Sequence, residues 1–340
     1  MSEKLLEVQN LKTYFTMHGY TVRAVDGVDF HVNRGETLGI VGESGCGKSQ
    51  TSMSIMRLVP DPPGKIVDGK VLFRGQNLLQ LREQEMRQIR GNDISMIFQE
   101  PMTSLNPVYT IGYQISEVLM LHRDMGKKEA LAESARLLAE VGISDPAARV
   151  HEYPFQLSGG LRQRVMIAMA MACEPALMIA DEPTTALDVT IQAQILRLMR
   201  RLKHERDTAI MFITHDLAVI ANFSERVMVM YAGVVVETTT VQNIFKRAMH
   251  PYTQGLLGSV PVLGESKFHA DGTRRLLQTI PGTLPDPKRP PSGCRFADRC
   301  PRAMPKCFQN EPALMYRENG HQVRCFLYGD EIRSTGESDE

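Results

Sequence analysis

The 340-residue chain holds no window approaching eighteen uncharged apolar residues, so nothing in it reads as a membrane-spanning helix. Its opening, Met1-Ser2-Glu3-Lys4-Leu5, lacks the apolar core of a signal peptide. Net charge is also missing, since 39 basic residues balance 39 acidic ones. Without a global positive field nothing but a local basic stripe would draw the chain to nucleic acid. We find no internal repeat. These absences predict a cytosolic protein whose membrane role, if it has one, comes through partners. In a reducing compartment its six cysteines are not expected to form structural disulfides. Cys46 and Cys173 are isolated, whereas Cys294, Cys300, Cys307 and Cys325 cluster near the end.

What is present suits one large α/β domain with an appendage, and 43 % apolar residues supply its core. Residues 5–10 and 28–32 read as short strands, followed by the turn residues Asn33-Arg34-Gly35. Thr37-Leu38-Gly39-Ile40-Val41 is a buried strand running into a glycine loop, and helical spacing over 49–58 stops before Pro60. A strand over 93–98 ends at Gln99-Glu100-Pro101. From Ile111 to about Cys173 the pattern turns helical, with 127–141 amphipathic. Strands return at 177–180, 209–214 and 227–231, with a helix over 190–206 between the first two. This alternation predicts a mostly parallel sheet with helices on its faces and a helical subdomain inserted at about 105–172. The domain is placed at residues 1–255. Beyond it Pro281, Pro285, Pro287, Pro290 and Pro291 crowd together, which suits a loop-rich extension over 256–330 rather than more sheet. Residues 331–340 are small and charged and read as a disordered tail.

The chemistry starts at Gly42-Glu43-Ser44-Gly45-Cys46-Gly47-Lys48-Ser49, which fits the phosphate-loop pattern with a strand before it and a helix after it. Its glycines let backbone N–H groups wrap phosphates, and the helix start adds a positive dipole end. Lys48 is expected to reach the β- and γ-phosphates of ATP and Ser49 to ligate Mg²⁺, with Gln50 next in line. Asp181 and Glu182 end a hydrophobic strand at the sheet's carboxyl edge and point opposite ways. Asp181 is expected to hold Mg²⁺ through water and Glu182 to polarise the attacking water. Leu157-Ser158-Gly159-Gly160 opens a helix about twenty residues upstream, with Ser158 as N-cap. Since the chain's own loop already cradles a nucleotide, this second anion site reads as serving a partner's ATP. His215 and Gln99 sit at two further strand ends, within reach of the γ-phosphate and of Mg²⁺ and water.

In that order, the phosphate loop, Gln99, Leu157-Ser158-Gly159-Gly160, Asp181-Glu182, Ala186-Leu187-Asp188 and His215 resemble the nucleotide-binding subunit of an ABC transporter. The likeness covers residues 5 to about 250. It implies two such subunits closing head to tail, with Ser158 and Gly160 facing the partner's γ-phosphate. It further implies Glu182 as general base, His215 as a γ-phosphate-positioning residue, and Asp188 in the loop that crosses the interface. Leu161 departs from the pattern, which commonly has Gln there. Phe15 stands where the family stacks an aromatic on adenine, with Tyr14 and Tyr20 competing. Gln99-Glu100-Pro101-Met102-Thr103-Ser104-Leu105-Asn106-Pro107, His250-Pro251-Tyr252-Thr253 and Ile280-Pro281-Gly282 resemble the peptide and nickel branch, most closely the first ATPase of a dipeptide or oligopeptide importer. The implied partners are a second, non-identical ATPase, two transmembrane permease subunits and an extracytoplasmic binding protein, with no nucleic acid. The implied place is the cytoplasmic face of the inner membrane, peripherally held. The alternative solutes are nickel and glutathione. A soluble ABC ATPase acting on nucleic acid would call for a second cassette or a long coiled-coil insertion, and the sequence has neither.

Cys294, Cys300, Cys307 and Cys325 are separated by five, six and seventeen residues. Four thiolates in a loop-rich segment suggest a metal centre, and the absence of C-x₂₋₄-C pairs favours a [4Fe–4S] cluster over Zn²⁺, which stays open beside unliganded thiols. Basic neighbours such as Arg295, Arg299, Arg302 and Arg324 suit a net-negative cluster. The family resemblance implies iron–sulfur as well. Amides and Lys48 around Cys46 are expected to lower its pKa, so that alkylation inactivates the enzyme and MgATP protects.

Overall fold

The computed structural model describes residues 3–17, 19–99, 104–185, 187–260 and 279–329. Its strands are β1 (Lys4–Met17), β2 (Tyr20–Asn33), β3 (Thr37–Val41), β4 (Gly64–Phe73), β5 (Gln76–Asn77), β6 (Ile94–Ile97), β7 (Leu177–Asp181), β8 (Ala209–Ile213), β9 (Arg226–Tyr231), β10 (Val234–Thr240), β11 (Met315–Tyr316) and β12 (Gln322–Val323). β3, β7 and β8 are buried at every position, which is why they read as unbroken apolar runs. Side chains alternate between two cores. Leu177 and Ile179 join one, Met178 and Ala180 the other.

Five parallel strands in the order β9-β3-β8-β7-β6 form the centre of an eight-stranded sheet. β10 joins β9 antiparallel, and β12 and β11 continue the edge. The expected parallel sheet is therefore present, with two additions that sequence patterning did not anticipate. First, β1, β2, β4 and β5 make a separate four-stranded antiparallel sheet. Residues 5–10 and 28–32 are only parts of β1 and β2, each fourteen residues long. Second, the loop-rich extension, where the proline run argued against more sheet, places Val323 and Gln322 against Glu237 and Thr238 of β10.

Helices Ile111–His122, Lys127–Glu140 and Gly159–Met171 lie between β6 and β7 in the chain and share the larger core. The helix after the phosphate loop runs Lys48–Ile55, and Arg57, two residues beyond its end, has a left-handed φ of 51°. Glu100, Pro101, Met102, Thr103, Ala186 and the tail at 331–340 lie outside the described residues.

Candidate functional site

β3 delivers Gly42 at its carboxyl end, and the loop 42–49 returns into the helix Lys48–Ile55. Gly47 has φ 103°, and a Cβ there would strike the Ala24 carbonyl oxygen, so only glycine fits this turn. Lys48 is buried, and its Nζ donates to the carbonyls of Gly42 (2.8 Å) and Glu43 (3.1 Å). Glu43 has both of its polar groups engaged from far along the chain. Its amide donates to Tyr252 Oη at 2.9 Å, and its carboxylate accepts two hydrogen bonds from Arg299 at 2.9 and 3.0 Å. Neither partner has a local sequence signal, since both pairings span more than two hundred residues.

Cys46 corrects the expectation placed on it. The residue is fully buried, and burial pushes its thiol up, outweighing the nearby Lys48 charge. Counting amides and a lysine predicted a reactive thiolate; desolvation makes it a protonated core residue instead.

Asp181 and Glu182 stand at the carboxyl end of β7, and both are buried. Burial raises the Asp181 carboxyl, against a hydrogen bond from Ser49, and its Oδ1 has no hydrogen-bond partner. A buried carboxylate oxygen without a donor, beside a serine hydroxyl, is a donor set that fits Mg²⁺. Glu182 has φ 47°, in the left-handed region that a non-glycine residue rarely adopts, and its amide donates to Ile213 O (2.9 Å). Its Oε2 accepts from Thr185 Oγ1 (2.9 Å) and Gln99 Nε2 (3.2 Å), while its Oε1 lies 3.2 Å from His215 Nδ1. Burial raises this carboxyl, but the hydrogen bonds from His215 and Thr185 and the charges of His215 and Lys48 outweigh it and hold it below the usual value. The structure thus brings Gln99, Glu182 and His215 together. It adds Thr185, whose place three residues along a turn carried no motif signal.

Ser158 caps the helix Gly159–Met171 by accepting from the Leu161 amide at 3.4 Å. Ser158 and Gly159 are exposed, and a Cβ on Gly160 would come within 3.0 Å of Ile191. Asp188 is exposed and caps the next helix through Ile191 N (2.9 Å). The ring of Phe15 packs so tightly on Gly64 that a Cβ there would meet it at 2.6 Å. The Tyr14 hydroxyl donates to Asp26 (2.6 Å), and Lys288 Nζ lies 4.6 Å above the exposed Tyr20 ring.

Cys294, Cys300, Cys307 and Cys325 line one small cavity with His250, Phe296 and Phe326, and all four are free thiols. The Cys294 amide donates to Cys307 O (2.7 Å). Burial pushes Cys294 up to about 11 and raises Cys300 and Cys325, with the charges of neighbouring cysteines adding to the shift in all three. Among the described residues no group of three or more His, Cys, Asp or Glu side chains is arranged to hold a metal ion. The thiols converge, but the predicted metal centre is not a preformed ion site. Four soft donors around one cavity fit a thiolate-bound cluster by chemistry, at the cost of deprotonating them.

Residues 25–185 match a family model described as ABC transporter, and residues 236–307 match one described as oligopeptide/dipeptide transporter, C-terminal region. The oligopeptide transport ATP-binding protein AppD of Bacillus subtilis (strain 168) is 55 % identical over 327 residues, covering 96 % of this chain and 98 % of that protein. The chain belongs to the ABC transporter ATPases. The dipeptide transport ATP-binding protein DppD of the same organism is 53 % identical and covers 96 % of this ABC ATPase and 95 % of its own length. A dimeric ATP-binding cassette solved in a post-hydrolysis state with ADP and Pi is 28 % identical, with a TM-score of 0.63, covering 69 % of this chain and 98 % of that one. The reaction of this ABC ATPase is ATP hydrolysis. Among the described residues no helix is long and apolar enough to cross a membrane.

Proposed function

We propose that this ABC ATPase is the ATP-hydrolysing subunit of a membrane importer for dipeptides or oligopeptides. The observation that carries the reading is the match of residues 236–307 to a peptide-transporter C-terminal region, together with near full-length likeness to AppD and DppD. In this reading residues 1–255 form the nucleotide-binding unit, with the helical subdomain at about 105–172, and 256–330 form the extension. Partners are a second ATPase, two permease subunits that hold the chain at the cytoplasmic membrane face, and a binding protein that delivers the peptide.

Residues 42–50 cradle the phosphates and Phe15 meets the adenine. Ser49 and Asp181 would hold Mg²⁺, which would supply neutralisation of phosphate charge. Glu182, kept ionised by His215 and Thr185, accepts the proton of the attacking water. Gln99 and His215 orient it against the γ-phosphate. Ser158 and Gly159, exposed at a helix start, and the half-buried Gly160 meet the partner's ATP. The four C-terminal cysteines would hold an iron–sulfur cluster, which would tie the extension together.

The test is reconstitution of the assembled transporter in vesicles. Binding protein loaded with peptide should stimulate ATP hydrolysis and drive peptide uptake. Glu182→Gln should keep MgATP binding while lowering turnover about 100-fold or more. Turnover at the wild-type rate would remove Glu182 from its role, and stimulation by nickel or glutathione but not peptide would replace the solute.

A further inference from the structure

Glu43 is a carboxylate in a loop whose task is to bind a triphosphate. Unpaired, it would oppose that anion. The structure pairs it with a residue from the other end of the chain. Arg299 is 7 % exposed, its two terminal nitrogens donate to the two Glu43 oxygens at 2.9 and 3.0 Å, and Glu43 keeps 28 % exposure. The fork is itself fixed, since Arg299 Nε donates to Pro281 O (2.8 Å) and Nη1 to Tyr231 Oη (3.3 Å). A second bond to the C-terminal side, donated by the Glu43 amide to Tyr252 Oη, holds the backbone of the same residue. The extension is anchored independently by Arg295, which donates to Asp26 (2.5 Å) and Ala232 O (2.6 Å). Planar bidentate pairing of this kind fixes geometry as well as charge.

We propose that Arg299 is a positioning residue of the nucleotide site: by neutralising Glu43 and fixing the phosphate loop, the C-terminal extension sets this subunit's affinity for MgATP. The inference rests on the ATP-site reading above and deepens it, because it makes the extension part of the nucleotide site. It also gives the cysteine cavity a route to that site, since Arg299 directly precedes Cys300.

The test uses the full-length chain as wild type, Arg299→Gln, Glu43→Gln and the double variant. MgATP affinity is measured by calorimetry, thermal melting reports folding, and KM and kcat are read in the assembled transporter. Arg299→Gln should weaken MgATP binding about tenfold and raise KM with kcat nearly unchanged, the signature of lost ground-state binding. Glu43→Gln, which leaves the Arg299 charge uncancelled beside the phosphates, should tighten binding about threefold. The double variant should return to within about twofold of wild type, a rescue that a merely structural arginine would not show. Wild-type affinity in Arg299→Gln, no rescue in the double variant, or unchanged or weaker binding in Glu43→Gln would each overturn the inference. Should Arg299→Gln fail to fold, Glu43→Gln decides alone. A wild-type chain that binds no MgATP would overturn the ATP-site reading and this inference with it, whereas wild-type binding with an unaltered Arg299→Gln overturns this inference only.

Discussion

Glu182 sits at a left-handed φ of 47° with Thr185, Gln99 and His215 on its two oxygens. A buried carboxylate in that conformation persists only because its surroundings over-determine it. Thr185→Val removes one donor without changing shape, and we expect kcat to fall about tenfold with MgATP affinity unchanged. Wild-type kcat in the assembled transporter would place Thr185 outside the mechanism. Cys46 gives the opposite kind of prediction. Because it is buried and its thiol is raised, alkylation followed by mass spectrometry should be slow with or without MgATP. Fast labelling that MgATP blocks would restore a reactive thiol. These two residues show what was legible. Asp181-Glu182 could be placed because the strand that ends there is an apolar run and the two carboxylates are covalently adjacent. Cys46 was misread because sequence shows neighbours but not the water that folding removes.

At the level of elements, the antiparallel sheet is fastened to the main sheet through Arg226 of β9. Arg226 Nη1 donates to Glu36 (3.0 Å) and lies 3.0 Å from Nε2 of His31 in β2. Burial, and then the Arg226 charge, lower the His31 pKa to about 4. Folded His31 therefore stays neutral where the unfolded chain, titrating near its usual 6.5, already takes up a proton. The stabilisation is present above about 6.5 and is lost as pH falls toward 4. A His31→Gln variant should flatten the melting temperature across that window, and an unchanged pH slope would refute this. Glu237 of β10 makes a second fastening. Fully buried, it accepts from the amides of Met249 (2.6 Å) and His250 (2.9 Å) and pairs with His321 Nε2 at 2.7 Å. Glu237→Ala leaves these donors buried without an acceptor and should cost about 3 kcal/mol or more in urea unfolding. A loss below about 1 kcal/mol would show that the network is dispensable. Neither fastening could be read from sequence. β4, Gly64–Phe73, was missed because its two lysines and internal glycine resemble a turn, and half-exposed strands lack an apolar run.

On the scale of the whole molecule, the order of the nucleotide-site motifs was enough to identify the machine, because each motif lies within a few residues of sequence. The way the C-terminal segment is joined to the rest was not legible, since Arg299 to Glu43 and Arg295 to Asp26 span more than 250 residues. Anaerobically purified transporter should contain iron and sulfide, and Cys300→Ser should lower both and the melting temperature together. Full retention of iron in that variant would remove Cys300 from the donor set. The pairing of β12 on β10 has one more consequence. The eight-stranded sheet ends at β11, two residues long, on one side and at β6, four residues long, on the other. Short terminal strands offer little backbone for a foreign chain to pair with. A chain cut after about residue 310 would uncover β10, a seven-residue run rich in valine and threonine, as an open sticky margin, and would be prone to pair with its copies.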